Sequence, residues 1–372
     1  MSRNVYNHTS QGTIVRQINA ESKPNPHQPL KIKEDHVVLN GYLLTNSLNG
    51  GHSGNIFKGI HMTTLKEVAV KCCTKNRNWL HEVNALNTMN HPNIVSLLGK
   101  PTPFVRLPSN IRYSMDKDNT VYSYNVPPGG SRKRLVRESK QVHILGVEYA
   151  KHGDLYELLI EKNNEVFSED ATRYIIKELT NALLYALNKG DQGNGISHRD
   201  VKLENTFVSK DGTIKLGDWG LCAMNSRERT CTTSCGTLGY MAPEMICREE
   251  YVAEKVDVWA LGIILFSCVF GIRPYKEPKQ RKQHHNDNKW KDEWLSAMEK
   301  ENWEVWWLSH GRDNVPVKNA SDNLKDLIEN IFAFKSNERI SLLGIACHPW
   351  ILEKEQGKYT KKDFLSDVGL VE

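Results

Sequence analysis

Asp200, Lys202 and Asn205 lie close together in the run His198-Arg199-Asp200-Val201-Lys202-Leu203-Glu204-Asn205. A carboxylate can orient a hydroxyl and accept its proton. An ammonium can neutralise a phosphoryl group in transit, and a side-chain amide can help hold a divalent cation. These types at this spacing suit phosphoryl transfer. A helical pattern precedes the run and a short strand pattern follows it, so it reads as a loop at the end of packed elements.

Other runs add groups of the same kind. Leu48-Asn49-Gly50-Gly51-His52-Ser53-Gly54-Asn55-Ile56 is a glycine-rich turn whose backbone can come close to phosphates. Val68-Ala69-Val70-Lys71 alternates like a strand and ends on a cation, and Glu82 falls in a helical stretch with Leu86 and Met89 on one side. Thr213 to Leu216 forms a strand that delivers Asp218-Trp219-Gly220. Taken singly, these are a hairpin, a surface lysine and a solvated helix residue. In this order, with His91-Pro92-Asn93, Gly236-Thr237-Leu238-Gly239-Tyr240-Met241-Ala242-Pro243-Glu244, Asp257-Val258-Trp259, Asn337-Glu338-Arg339 and His348-Pro349-Trp350, the chain resembles eukaryotic protein kinases from about residue 40 to residue 352. Lys202 and the Gly236–Glu244 segment resemble the Ser/Thr-specific branch, and the late motifs resemble the calcium/calmodulin-kinase-like group.

The resemblance implies an α+β, two-lobed protein kinase fold, with a small β-rich N-lobe over 39–149 and a larger helical C-lobe over 150–352. ATP and Mg²⁺ would bind in the cleft, and the acceptor would be a Ser or Thr hydroxyl of a protein substrate. Asp200, Lys202 and Asn205 are the expected catalytic residues, and Asn205 and Asp218 the metal ligands. Asn49, Gly50, Gly51, Gly54, Ile56, Ala69, Lys71, Glu82, Val147, Glu148, Ala150, Asp154 and Phe207 would line the ATP site. Among these, Glu82 would brace Lys71, backbone groups of Glu148 and Ala150 would meet the adenine edge, and Asp154 would reach the ribose. Asn49 departs from the family pattern, which has glycine there, and Trp219 stands where phenylalanine is usual. Thr237 would bond Asp200 and Lys202, Asp257 would brace the catalytic loop, and Arg339 would pair with Glu244. Arg199 would receive a phosphate carried by the 222–235 segment, where Ser226, Thr230, Thr232, Thr233 and Ser234 are candidate acceptors.

Positioning these groups requires a β-rich first half and a helical second half. Ser168, followed by Glu169 and Asp170, opens a long helix with Ile175, Ile176, Leu179, Leu183, Leu184 and Leu187 as its apolar stripe, and Gly190 fits its end. Residues 1–38 are polar and read as a tail. Residues 101–141, broken by Pro103, Pro108, Pro127 and Pro128 and carrying the basic run Ser131–Arg137, read as a solvated insertion loop. Residues 353–372 read as a charged tail, the basic, His-rich stretch 276–291 (with His284 and His285) as a solvated loop, and Trp303–Trp307 as helix packing.

Composition fits this picture. The chain has 372 residues, 39% hydrophobic and 25% charged, with a formal net charge of +5. That is enough to bury a sizeable core and does not by itself indicate nucleic-acid or membrane binding. Eight cysteines without a Cys-x-x-Cys pair, and no apolar signal segment in the first residues, point to unpaired thiols in a reducing compartment. The protein is expected to be cytoplasmic, with the nucleus as a second location since the Ser131–Arg137 run could serve as a weak nuclear signal, and to be a monomer. Two other readings are a kinase-like scaffold without catalysis and an enzyme acting on small molecules. The complete set of Lys71, Glu82, Asp200, Asn205 and Asp218 opposes the first, and the Gly236–Glu244 segment opposes the second.

Overall fold

Alternation of apolar and polar residues over Tyr42–Gly51, Gly54–His61 and Glu67–Cys73 produces strands β3, β4 and β5. They belong to a seven-stranded antiparallel sheet ordered β1-β2-β3-β4-β5-β9-β6. The remaining strands of this sheet are β1 (Ile14–Val15), β2 (His36–Leu39), β6 (Thr102–Arg106) and β9 (Gln141–Glu148). A computed structural model of the chain describes residues 14–15, 36–39, 41–51, 54–73, 76–106, 111–115, 121–125, 141–161, 166–189, 195–224, 230–276, 291–311, 315–353 and 359–370. These fall into two compact units: Met1–Val83 with Ser96–Tyr149, and Asn84–Val95 with Ala150–Glu372.

In the first unit, Tyr42, Leu44, Phe57, Val68, Val70, Cys72 and Ile144 form a core on one face of the sheet. Side chains alternate faces along a strand, and directly paired residues share one. Ile56 pairs with Lys71, and Ala69 pairs with Val147, so these four lie together on the other face. Helix α1 (Asn76–Thr88) presents Trp79, Glu82, Val83 and Leu86, all buried, at helical spacing. Trp79 Nε1 donates to Ile144 O at 3.2 Å, pinning the start of the helix to β9.

Two stretches read as unstructured contribute strands. The insertion supplies β6, bonded to β9, and a separate hairpin of β7 (Ile111–Met115) and β8 (Val121–Asn125). Its period-two alternation and aromatic content suit strands, and the prolines lie outside the hairpin. The N-terminal polar stretch supplies Ile14–Val15, which pairs with β2. The basic run Ser131–Arg137, Gly190, Ser226, His284 and His285 lie outside the described residues.

Among the described residues the second unit is helical apart from two short strand pairs: β10 (Ile196–Ser197) with β13 (Ala223–Met224), and β11 (Thr206–Val208) with β12 (Ile214–Leu216). Its helices are α2 (Leu155–Glu161), α3 (Glu169–Leu187), α4 (Pro243–Ile246), α5 (Ala253–Phe270), α6 (Glu293–Glu299), α7 (Trp303–Gly311), α8 (Val315–Lys318), α9 (Asp322–Ile331), α10 (Leu342–Ala346), α11 (Pro349–Leu352) and α12 (Lys361–Asp367). Ser168 caps α3 by accepting from Ala171 N at 3.0 Å, and the helix closes at Asn188. Helix α5 is buried almost throughout and forms the centre of this unit. Trp306 of α7 is fully buried against Phe266, which bears out the packing role of the tryptophan cluster. Residues 84–95 join this unit because Val95 N donates to Leu216 O at 3.0 Å and Asn93 Nδ2 to Ile214 O at 2.9 Å.

The terminal stretch 353–372 is more than a charged tail. Its residues 361–367 form α12, closed by a Thr360–Asp363 capping box and anchored by a fully buried Phe364. Among the described residues no helix is long and apolar enough to cross a membrane. All eight cysteines are free, so the Cys231–Cys235 pair is unbridged.

Candidate active site

The catalytic-loop carboxylate is built from both sides. Asp257, near the start of α5, accepts His198 N at 2.7 Å and Arg199 N at 2.6 Å. These two amides hold the backbone where Arg199 takes a left-handed φ of 63°, a conformation that costs about 1–2 kcal/mol for a residue with a Cβ. Burial raises the Asp257 pKa to about 7, opposed by the same two amide donors. His198 is fully buried; its Nδ1 accepts Asp200 N at 3.2 Å and its Nε2 bonds Gly217 O at 2.8 Å, which fixes the tautomer with the proton on Nε2. Burial lowers the His198 pKa, which keeps the ring neutral.

Around Asp200 the side chains form one network. Thr237 donates to Asp200 Oδ1 through both N and Oγ1, each at 2.9 Å. Lys202 Nζ donates to Thr237 Oγ1 at 2.7 Å and stands 3.4 Å from Asp200 Oδ2. Asn205 Nδ2 donates to Asp200 O at 2.8 Å and to Oδ2 at 3.2 Å. With its nitrogen so committed, Asn205 presents Oδ1 as a hard oxygen donor. Gly236 makes the approach of Thr237 possible: its φ is 97°, and a Cβ there would sit 2.7 Å from Arg199 O.

The β11–β12 hairpin joins Asn205 to Asp218. Thr206 pairs with Leu216, and Gly217 N donates to Asn205 O at 2.9 Å, so the two residues leave the hairpin at the same end. Asp218 adopts a left-handed φ of 56°. Trp219 is fully buried; its Nε1 finds Leu216 O at 3.3 Å and its ring meets the His198 ring at 4.5 Å. The extra N–H brought by tryptophan is therefore satisfied. Phe207 bridges to Asp154, and its ring lies against Gly217, where a Cβ would approach within 2.9 Å. Asp154 Oδ1 accepts Glu157 N at 2.9 Å at the head of α2. Desolvation raises its pKa to about 6, helped by the nearby charges of Glu157 and Glu204. Among the described residues no cluster of three or more His, Cys, Asp or Glu forms a ready metal site. The amide oxygen of Asn205 and the carboxylate of Asp218 are hard oxygen donors of the kind that suit Mg²⁺.

In the first unit, Lys71 Nζ meets Glu82 Oε2 at 2.8 Å with both side chains buried. Gly51 pairs with Gly54, closing the glycine-rich stretch as a hairpin, and Leu48 pairs with Ile56. Glu148 N donates to Ser96 O at 2.9 Å, so at this residue the carbonyl is the backbone group left to meet a ligand.

The structure also brings in Tyr251, which carried no signal in the sequence. Its hydroxyl accepts Arg199 Nη1 at 3.3 Å and donates to Thr233 O at 2.8 Å, and its backbone bridges Cys231. Arg199 also donates from Nε to Leu221 O at 2.8 Å and from Nη2 to Cys222 O at 3.3 Å. Thr232, Thr233 and Ser234 are exposed nearby. Beneath this segment Arg339 pairs with Glu244 at 2.8 Å.

The family model described as the protein kinase domain matches residues 42–351. Among similar curated proteins, an Aurora kinase of Candida glabrata is 32% identical over 246 residues, 66% of this chain and 58% of that protein. The SNF-related serine/threonine-protein kinase of Homo sapiens is 27% identical over 335 residues, 88% of this chain and 35% of that protein. The NUAK family SNF1-like kinase 1 of Homo sapiens is 26% identical over 258 residues, 67% of this chain and 32% of that protein. The chain thus spans less than two thirds of the length of each of these relatives.

Proposed function

The chain belongs to the protein kinase domain family, and from that premise we propose that it transfers the γ-phosphoryl group of ATP to Ser or Thr hydroxyls of proteins. The observation that carries this reading is the Asp200–Thr237–Lys202–Asn205 network, in which each of the four side chains is oriented by another.

The network distinguishes the two oxygens of Asp200. Oδ1 already accepts two donors from Thr237, whereas Oδ2 has only the longer contacts to Asn205 and Lys202. Oδ2 is therefore the oxygen that orients the acceptor hydroxyl and takes its proton. As the hydroxyl oxygen bonds to the γ-phosphorus, the bond from that phosphorus to the bridging oxygen breaks, and its electron pair leaves with ADP. Lys202, steadied by Thr237 Oγ1, stands beside the carboxylate to offset charge on the transferring group. Lys71, braced by Glu82, holds the nucleotide phosphates, and Ile56, Ala69 and Val147 offer the adenine an apolar face of the sheet. Asn205 Oδ1 and the Asp218 carboxylate would hold Mg²⁺, which when bound neutralises phosphate charge. Catalysis here is chiefly positioning and charge stabilisation.

Replacing Asp200 with Asn removes the proton acceptor and keeps the shape. Transfer from labelled ATP to Ser/Thr peptides is expected to fall by about 10²–10⁴-fold, with nucleotide binding measured by calorimetry unchanged. Equal incorporation by wild type and Asp200→Asn would sink the assignment.

A further inference from the structure

Helix α12 lies beyond the residues matched by the kinase family, yet it is seated on the far end of the hairpin that carries Asn205 and Asp218. Phe364 is fully buried, with its ring 5.1 Å from Tyr174 of α3, and Val368 is buried one turn on. Ser168 Oγ and Tyr359 Oη both donate to Asp367 Oδ2, at 2.8 and 2.7 Å. At the hairpin turn, Lys361 Nζ donates to Asp211 Oδ2 at 2.9 Å and to Thr213 Oγ1 at 2.5 Å.

The turn is shaped to receive this helix. Gly212 has a φ of 83°, and a Cβ there would fall 2.8 Å from Lys361 O and 2.9 Å from Leu365 Cγ. Tyr174 Oη donates to Gly212 O at 3.1 Å from the side of α3. Asp211 Oδ1 accepts Ser209 Oγ at 2.5 Å and Thr213 Oγ1 at 2.8 Å, so the carboxylate ties both strand ends to Lys361. The Lys361–Asp211 pair is about half exposed, with side-chain accessibilities of 47% and 64%, so water screens it. Burial of Phe364 therefore supplies most of the docking, and Lys361 supplies register.

A hairpin with only three residues in each strand cannot be stiff by itself. We infer that residues 359–370 act as a clasp that holds the β11–β12 hairpin in register and thereby sets the placement of Asn205 and Asp218, with Phe364 and Lys361 as positioning residues. The metal-holding role of that pair rests on the function proposed above; the clasping of the hairpin does not. Loosening the clasp should then act at the opposite end of the hairpin, on the cation requirement and not on peptide recognition.

The test uses the full chain with Phe364→Ala, and with Lys361→Glu as a surface variant that keeps the buried anchor. Hydrogen exchange at the amides of Ser209, Gly212, Leu216 and Gly217 is expected to speed up by about ten-fold in Phe364→Ala, and by less in Lys361→Glu. The Mg²⁺ concentration giving half-maximal phosphoryl transfer should rise several-fold, the peptide KM should stay constant, and saturating Mg²⁺ should restore kcat. Faster exchange confined to residues 359–370, with the hairpin amides unchanged, overturns the inference. So does an unchanged Mg²⁺ requirement in an active variant. Should wild type transfer no phosphate at all, the kinase reading fails, and the exchange measurement still decides whether the clasp exists.

Discussion

Asp154 shows how a side chain can serve the fold and the site with the same atoms. Its Oδ1 caps α2 through Glu157 N, and burial together with two neighbouring carboxylates holds its pKa near 6, above the ordinary 3.8. Between those two values the folded chain keeps a proton that the unfolded chain has released. Stability therefore declines as pH rises from about 4 to about 6 and is flat in this respect above it. Asn caps helices about as well as Asp, so Asp154→Asn removes the charge and keeps the cap. The stability gain of Asp154→Asn over wild type, from urea unfolding, should be larger at about pH 7 than at about pH 4.5. Equal differences at both values would show that Asp154 does not titrate abnormally. The same residue is expected to bind ribose hydroxyls, which need an acceptor, so nucleotide binding and stability place opposing demands on its charge.

At the scale of elements, the Arg339–Glu244 pair joins α4, α5 and the loop after α9. Arg339 Nη1 and Nη2 meet the two Glu244 oxygens at 2.8 and 3.1 Å. Nη1 also donates to Lys255 O at 2.7 Å, and the guanidinium lies 4.9 Å from the centre of the Trp259 ring. The Arg339 side chain is wholly inaccessible and that of Glu244 is 8% accessible. Removing one partner strands a buried charge, so Arg339→Ala should cost about 3–5 kcal/mol in denaturant unfolding. The double variant Arg339→Ala, Glu244→Ala should cost less than the sum of the single variants. Additive losses would mean that the pair is not coupled. Lys could not replace Arg339, because it lacks the planar fork that the two carboxylate oxygens meet.

For the molecule as a whole, each unit carries its own part of the proposed chemistry. Lys71 and Glu82 lie in the first unit, and Asp200, Lys202, Asn205 and Asp218 in the second. A ligand that binds only the folded chain stabilises it by mass action, by about 2.7 kcal/mol at a hundred-fold excess over Kd. ATP with Mg²⁺ should therefore raise the Tm of wild type by scanning calorimetry. The same rise should persist in Asp200→Asn, which keeps the phosphate grip, and should shrink in Lys71→Met, measured against that variant's own lower ligand-free Tm. A full ligand-induced shift in Lys71→Met would show that this lysine does not hold the nucleotide.

The residues of the 198–205 loop were legible in the sequence because the chemistry proposed for them needs fixed types at short separations, and a few backbone bonds then carry Asp200, Lys202 and Asn205 to one place. The α3 stripe was legible for a similar reason, since a period of 3.6 is local. Resemblance to the family supplied the longer pairings of Lys71 with Glu82 and of Arg339 with Glu244. Tyr251 lay outside all of these signals: its use depends on the path of the 230–235 segment past Arg199, and neither spacing nor residue type encodes that path. The insertion strands were obscured by prolines: Pro103 falls within β6 where its pairing with β9 shifts register, and the others lie outside the β7–β8 hairpin. Helix α12 was hidden because only Phe364 within it and the capping Val368 just after it are buried apolar residues, in a charged stretch. Two such residues make no amphipathic pattern by themselves. They define a docked helix only because the tertiary fold sets Tyr174 against Phe364 and the side-chain-free Gly212 against Lys361 O and Leu365, and burial against a surface assembled from distant residues is decided in three dimensions.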